Sequence, residues 1–141
     1  MDSNPTDELL KQLNNCNNID EYFKSNKNYL VNTTIAEYLY DVFNEKCLVK
    51  SRVFKKAEID EIYGYQIFGG RKNPSRNTLL AICIGARFTL NETQAALKVA
   101  GYAPLYVKNK RDCIIIYGMN NGKAVCEINE MLYEKNEDTL N

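Results

Sequence analysis

Residues 48–85 read LVKSRVFKKAEIDEIYGYQIFGGRKNPSRNTLLAICIG, and this stretch decides the fold. Its opening, 50–57, is basic and carries Val53, Phe54 and Ala57 at helical spacing, which predicts a short helix with one apolar face. A tight turn follows at 58–60. Asp60 is a good N-cap, because its short carboxylate can accept from the free amides of a following turn, and the helix it opens should run to about Phe68. Gly69 and Gly70 then break it. Pro74 and Ser75 open the next helix, in which Leu79, Leu80, Ile82, Cys83 and Ile84 are apolar nearly all round. A helix without a polar face belongs at the centre of the molecule. Two short helices joined by a tight turn make a helix-turn-helix.

The flanks continue in helices. Thr34 with Glu37 is a capping box, and Ile35, Leu39, Val42 and Phe43 after it share one face. Thr89 with Glu92 is a second box, opening a helix that stops at Gly101. Asn109 with Asp112 caps a helix holding the apolar run 114–117, which ends near Gly122. That run resembles a buried strand, but no second strand candidate exists to pair with it. A last helix carries Val125, Ile128, Met131 and Leu132. The runs 114–117 and 131–133 are expected in the core, with a dimer surface as the alternative for a part of them, and 135–141 is expected to fray. Towards the N-terminus, Leu9, Leu10 and Leu13 form a short stripe, and Asn18 with Glu21 opens a second short helix through Tyr22 and Phe23. The expected organisation is all-α: an N-terminal helical arm at 1–33, a helix-turn-helix domain at 34–101, and a C-terminal helical extension at 102–141 packed on the same core.

The tail Gly70, Arg71, Lys72, Asn73, Pro74, Ser75, with Leu79 and Leu80 beyond it, resembles that of the lambda-repressor-like, or XRE-family, helix-turn-helix regulators. Leu48, Ile59 and Ile67 match apolar positions of the same unit. The resemblance covers about 35–90, and it implies a five-helix lambda-repressor-like bundle with additional N- and C-terminal helices. The chain also departs from the pattern. Members usually have a small residue in the middle of the first helix of the pair and Ile or Val in the second, in mutual contact. Here the positions hold Phe54 and Gly64, so large and small are exchanged and the summed volume is roughly kept. A mid-helix glycine costs about 1 kcal/mol relative to alanine, so Phe54 is expected to lie over the Gly64 backbone. The usual turn glycine is Glu58, and the usual Ser or Thr cap of the first helix is Val49.

Composition narrows the function. The 141-residue chain contains no His, which removes the commonest general base, the Ser-His and Cys-His pairs, and most zinc sites. With no phosphate loop and no metal-ligand spacing either, neither a catalytic residue nor a metal or other cofactor is expected. Five Cys at 16, 47, 83, 113 and 126 show no Cys-x-x-Cys pair. They are read as reduced thiols of a cytoplasmic protein, several of them buried in helices. No apolar run reaches the ~18 residues of a membrane span. The start, MDSNPTDELLKQ, is acidic and polar, unlike a secretion signal. Eighteen cations balance eighteen acids, but unevenly: residues 1–47 carry four against eight, 48–80 seven against three, and 81–141 seven of each. The positive charge falls on the helix-turn-helix, where a phosphate backbone would be held.

The resemblance implies that Asp60, Glu61, Ile62, Tyr65 and Gln66 face a DNA groove. Base reading then falls to Glu61, Ile62, Tyr65 and Gln66: Gln66 can pair adenine N6/N7, Glu61 can accept from cytosine N4, and Tyr65 can reach a phosphate or a thymine methyl. Phosphate contacts fall to Lys50, Ser51, Lys55, Arg71, Lys72, Asn73 and Arg76. Five such contacts predict a log–log salt slope of about −4.5. Asp60 and Glu61 suit a helix N-terminus but repel phosphate. Glu127, Glu130 and Glu134, three and four apart, read as a solvated helix face rather than an acid site. The expected function is sequence-specific double-stranded DNA binding by a transcriptional regulator, acting as a homodimer. The alternative is a protein-interaction module that retains the fold, and the C-terminal helices are the candidate surface for a protein partner.

Overall fold

The computed structural model describes residues 5–25 and 33–141, and the described residues form helices and no strand. In chain order these are α1 (Pro5–Asn15), α2 (Ile19–Ser25), α3 (Ile35–Glu45), α4 (Lys50–Ala57), α5 (Glu61–Phe68), α6 (Arg76–Gly85), α7 (Leu90–Val99), α8 (Lys110–Asn120) and α9 (Val125–Glu134). No helix among the described residues is long and apolar enough to cross a membrane. Two compact units separate at Met1–Asn32 and Thr33–Asn141, one residue from the boundary expected at 33. Residues 1–4 and 26–32 of the expected N-terminal arm lie outside the described residues.

The smaller unit holds α1 and α2. The Asn18 carboxamide accepts from the Asp20 amide at 2.8 Å, so Asn18 opens α2 by bonding two residues on, not to Glu21. None of the unit's described side chains is buried, and Leu10 and Leu13 of the expected stripe are exposed.

Helix starts in the larger unit follow from capping chemistry. Thr34 and Thr89 each accept from the amide three residues on, while Glu37 and Glu92 reach back to the cap amides. Asp60, Ser75 and Asn109 accept from Tyr63, Thr78 and Asp112. Val49 makes no side-chain cap bond. Helix ends are less regular: Cys47, Glu58, Arg87 and Asn136 all adopt a left-handed backbone with φ of 55–60°. Each follows the last turn of a helix, and at Glu58 the closing pair is Glu58 N–H to Lys55 C=O and Ile59 N–H to Phe54 C=O.

The core is built around α6. All seven residues from Leu79 to Gly85 are buried, against Leu39 and Phe43 of α3, Val53 of α4 and Ile67 of α5. Residues from the C-terminal extension, Leu105, Ile115, Val125, Ile128 and Leu132, belong to the same cluster. Gly85 lets α4 and α6 approach closely, since a Cβ there would lie 3.1 Å from the Val53 carbonyl oxygen. Beneath α5 sits an aromatic cluster. Phe43 meets Phe68 edge-on at 4.7 Å and Phe88 at 6.0 Å, while Phe54 meets Phe68 at 5.5 Å and Tyr65 at 5.1 Å. Phe54 is buried over Gly64, where a Cβ would stand 2.8 Å from the ring carbons. The exchange of large and small is therefore a packing solution: the ring occupies the space that a side chain at 64 would fill.

Three expectations are corrected. The end of the chain does not fray. Leu140 is buried in the core cluster, Arg111 donates to the carbonyls of Asp138 (2.8 Å) and Thr139 (3.1 Å), and the Asn129 carboxamide accepts from the Leu140 amide at 2.8 Å. One apolar anchor and two side-chain clamps outweigh the polar composition of this tail. Of the cysteines only Cys83 is buried, while Cys16 and Cys113 are half-buried and Cys47 and Cys126 exposed. In the runs 114–117 and 131–133, Ile115 and Leu132 are buried and Ile114 and Ile116 pack half-buried against the core, whereas Tyr117 and Tyr133 stand in solvent, because these helices turn only one face inward.

Candidate nucleic-acid interface

The candidate site is built by α4, the turn 58–60, α5 and the loop 69–75. Helix α5 is eight residues long and buries only Gly64 and Ile67. Its outer face carries Glu61, Ile62 and Tyr65, all exposed, with Gln66 half-buried beside them. Ile62 is 70% exposed, which is unusual for an isoleucine in a helix flanked by a well-formed core. Tyr65 is fixed by its edge contact with Phe54, so the ring is anchored from below and open on its outer side. Tyr63, on the opposite side of Gly64, is half-buried and packs against the core. The Asp60 carboxylate is occupied as a cap, accepting from the Tyr63 amide at 3.1 Å, and the free amides of the α5 N-terminus offset its charge. Glu61 has no such partner role and is the acid that a polyanion would meet.

The loop after α5 folds back on the helix. Gly69 donates to Tyr65 C=O, Gly70 to Ile67 C=O, and both Arg71 (2.9 Å) and Lys72 (3.2 Å) donate to Gln66 C=O. Gly70 makes this reversal with φ of 76°, a conformation glycine adopts without the strain of a side chain. The main chain of two cations is thus tied to Gln66, the half-buried carboxamide on the outer side of α5. Arg71, Lys72 and Asn73 are all exposed.

Lys50 joins this group. Its ammonium lies 5.3 Å from the Phe68 ring centroid and 5.4 Å from that of Tyr40, so two rings hold it at the N-terminal end of α4. Ser51 is exposed next to it. No ion pair among the described residues engages Lys50, Lys55, Arg71 or Lys72. The sequence contains no signal for the Tyr40–Phe68 seat of Lys50, because Tyr40 lies ten positions upstream on another helix.

Of the expected phosphate set, Arg76 is engaged elsewhere, and Lys55, exposed, lines a separate cleft. Lys55, at the far end of α4, lines a cleft with Lys56, Arg87 and Cys126, between α4, α6 and α9. The Arg76 guanidinium is turned inward: Nε donates to Ala103 C=O at 3.0 Å, Nη2 to Pro104 C=O at 3.3 Å, and Nη2 pairs with the buried Asp112 carboxylate at 3.4 Å. Position at the start of α6, directly after a basic loop, made Arg76 look like a phosphate ligand. The segment that captures it lies 27 residues downstream. Lys50, Arg71 and Lys72 are then the cations of the expected set that stay beside α5 and its loop, with Ser51 and Asn73 as neutral neighbours, and Glu37 and Asp41 line the same cleft as Tyr40 and Phe68, the rings that hold Lys50.

Among the described residues no group of three or more Cys, Asp or Glu is placed to hold a metal ion. Glu127 serves as a cap, accepting from the Ala124 amide at 3.0 Å, with Lys123 3.8 Å away. No family model matches the chain, and no curated protein or solved structure does either.

Proposed function

We propose that this chain is a sequence-specific double-stranded DNA-binding regulator of transcription. In this reading α4 and α5 form a lambda-repressor-like helix-turn-helix. Helix α5 enters the major groove, Gln66, Tyr65, Ile62 and Glu61 meet base edges, and Lys50, Arg71 and Lys72 anchor on phosphates. Two copies of the chain would read half-sites about one helical turn, roughly 34 Å, apart. The observation that carries the reading is the tie between loop and helix: the amides of Arg71 and Lys72 both bond the Gln66 carbonyl. Cations that position a backbone and a side chain that reads a base are thereby kept in one register.

The test is a salt titration of binding to mixed genomic duplex DNA. With three phosphate contacts per chain, the log–log slope is about −2.7 per bound chain, shallower than the −4.5 implied by five contacts. Gln66→Ala with Arg71→Ala abolishes sequence preference and weakens binding at every salt concentration. No binding at the lowest salt sinks the reading. A specific feature favours a second one in that event: Ile62 at 70% exposure beside the free carboxylate of Glu61 suits a protein partner with an apolar, basic surface.

A further inference from the structure

The loop 69–75 is anchored at both ends, and the second anchor comes from the C-terminal part of the chain. On one side its amides bond the end of α5. On the other, the Tyr102 hydroxyl donates to the Pro74 carbonyl. Two residues further on, Arg76 reaches the carbonyls of Ala103 and Pro104 and the carboxylate of Asp112. Segment 102–107 has no helical ladder of its own, so what it holds depends on what holds it. Gln94 of α7 brackets Leu105 with two bonds of 2.8 Å, one to its carbonyl and one from its amide, and Leu105 is buried. Asp112 accepts from the Tyr106 amide at 3.0 Å while its own amide donates to Asn109. The pinned segment is therefore a rigid abutment.

We infer that segment 102–112 sets the shape of the phosphate-contacting loop, with Tyr102 and Arg76 as positioning residues that touch no DNA themselves. The inference rests on the DNA reading for its functional half and on geometry alone for its structural half. Between the two anchors the chain is Arg71, Lys72 and Asn73, whose side chains are exposed. Fixing the main chain at Gln66 and at Pro74 leaves these three residues little room to move, and so presents their cations pre-arranged rather than ordered on binding.

Three proteins separate the alternatives: the full chain, Tyr102→Phe and Arg76→Lys. Tyr102→Phe removes one hydroxyl and keeps the ring. Arg76→Lys keeps the charge but loses the planar fork that reaches two carbonyls and a carboxylate at once. Hydrogen exchange at the Arg71 and Lys72 amides is measured in the free proteins, with urea unfolding as the control for stability. DNA affinity across a range of salt concentrations is then measured for each. Both variants should speed exchange at these two amides by about tenfold through local opening, with a smaller change in core amides. Both should weaken DNA binding by about threefold at every salt concentration with the slope kept, because Arg71 and Lys72 must then be ordered on binding. If Arg76 is instead a direct phosphate ligand, Arg76→Lys keeps the charge and binds with the affinity of the full chain, and the inference is overturned. It is also overturned if exchange at Arg71 and Lys72 is unchanged in both variants. If the full chain binds no DNA, the DNA reading fails alone, and the exchange result still decides whether 102–112 holds the loop.

Discussion

Helices α5 and α6 are neighbours in sequence, similar in length, and each starts on a side-chain N-cap, yet they do opposite things. In α6, seven successive residues are buried. In α5 two are, and one of them is glycine. The apolar side chains of α6 meet partners on every side. Those of α5 divide, with Ile67 inward and Ile62 and Tyr65 outward. The difference teaches what apolar content alone does not. A helix that is apolar all round becomes a core because other elements surround it, whereas α5 lies at the edge of its unit and leaves Ile62 and Tyr65 exposed.

The comparison can be broken most forcefully at the centre. Leu80→Ala leaves a cavity where the side chain is fully buried and should cost about 2–5 kcal/mol, seen as a lower urea midpoint with an unchanged m-value. In α5 the sensitive position is the smallest residue. Gly64→Ala drives a Cβ into the Phe54 ring and should cost about 1–3 kcal/mol, despite alanine's better helix propensity. Combining it with Phe54→Leu should recover part of that loss, and strictly additive costs in a double-mutant cycle would show that the two positions do not share a volume.

A third test uses pH. Burial pushes the Cys83 thiol up from 9.0 to about 12; a hydrogen bond with Thr93 opposes the shift and Glu92 adds to it. Because the folded value is raised, the unfolded chain releases this proton first. The contribution to stability is complete below pH 9 and is lost as pH rises towards 12, by about 1 kcal/mol per unit. Urea midpoints across that range should fall more steeply for the full chain than for Cys83→Ala. The smallest effect belongs to the outer face of α5. Ile62→Ala should change stability by less than about 0.5 kcal/mol while lowering DNA affinity, and a large loss of stability would mean that this face is structural.

Much of the larger unit was legible in the sequence because its signals are local. Thr34, Asp60, Ser75, Thr89 and Asn109 cap the helices they precede, since a cap acts within three residues and needs no tertiary partner. The inward faces of α3 and α4 follow from spacing for the same reason. Helix ends at Cys47, Glu58, Arg87 and Asn136 were harder to read, because none of them is the glycine that a left-handed C-cap favours. The candidate site divides along the same line. Outward placement of Glu61, Ile62 and Tyr65 follows once Ile67 is inward. The loop's return to Gln66 depends on backbone bonds that residue types do not announce.

What the residues determined unaided was the succession of helices, the central place of α6, the packing of Phe54 on Gly64 and the concentration of positive charge in 48–80. All of these rest on capping, periodicity, volume and formal charge, which act at short range or can simply be counted. Only the tertiary structure decided the fate of individual side chains. It turned Arg76 inward to Asp112, seated Lys50 between Tyr40 and Phe68, sent Lys55 to a different cleft and pinned Leu140 in the core. The physical reason is that a long flexible cation, or a single leucine in a polar tail, takes its position from whichever acceptor or apolar surface the fold brings near, and those partners are remote in sequence.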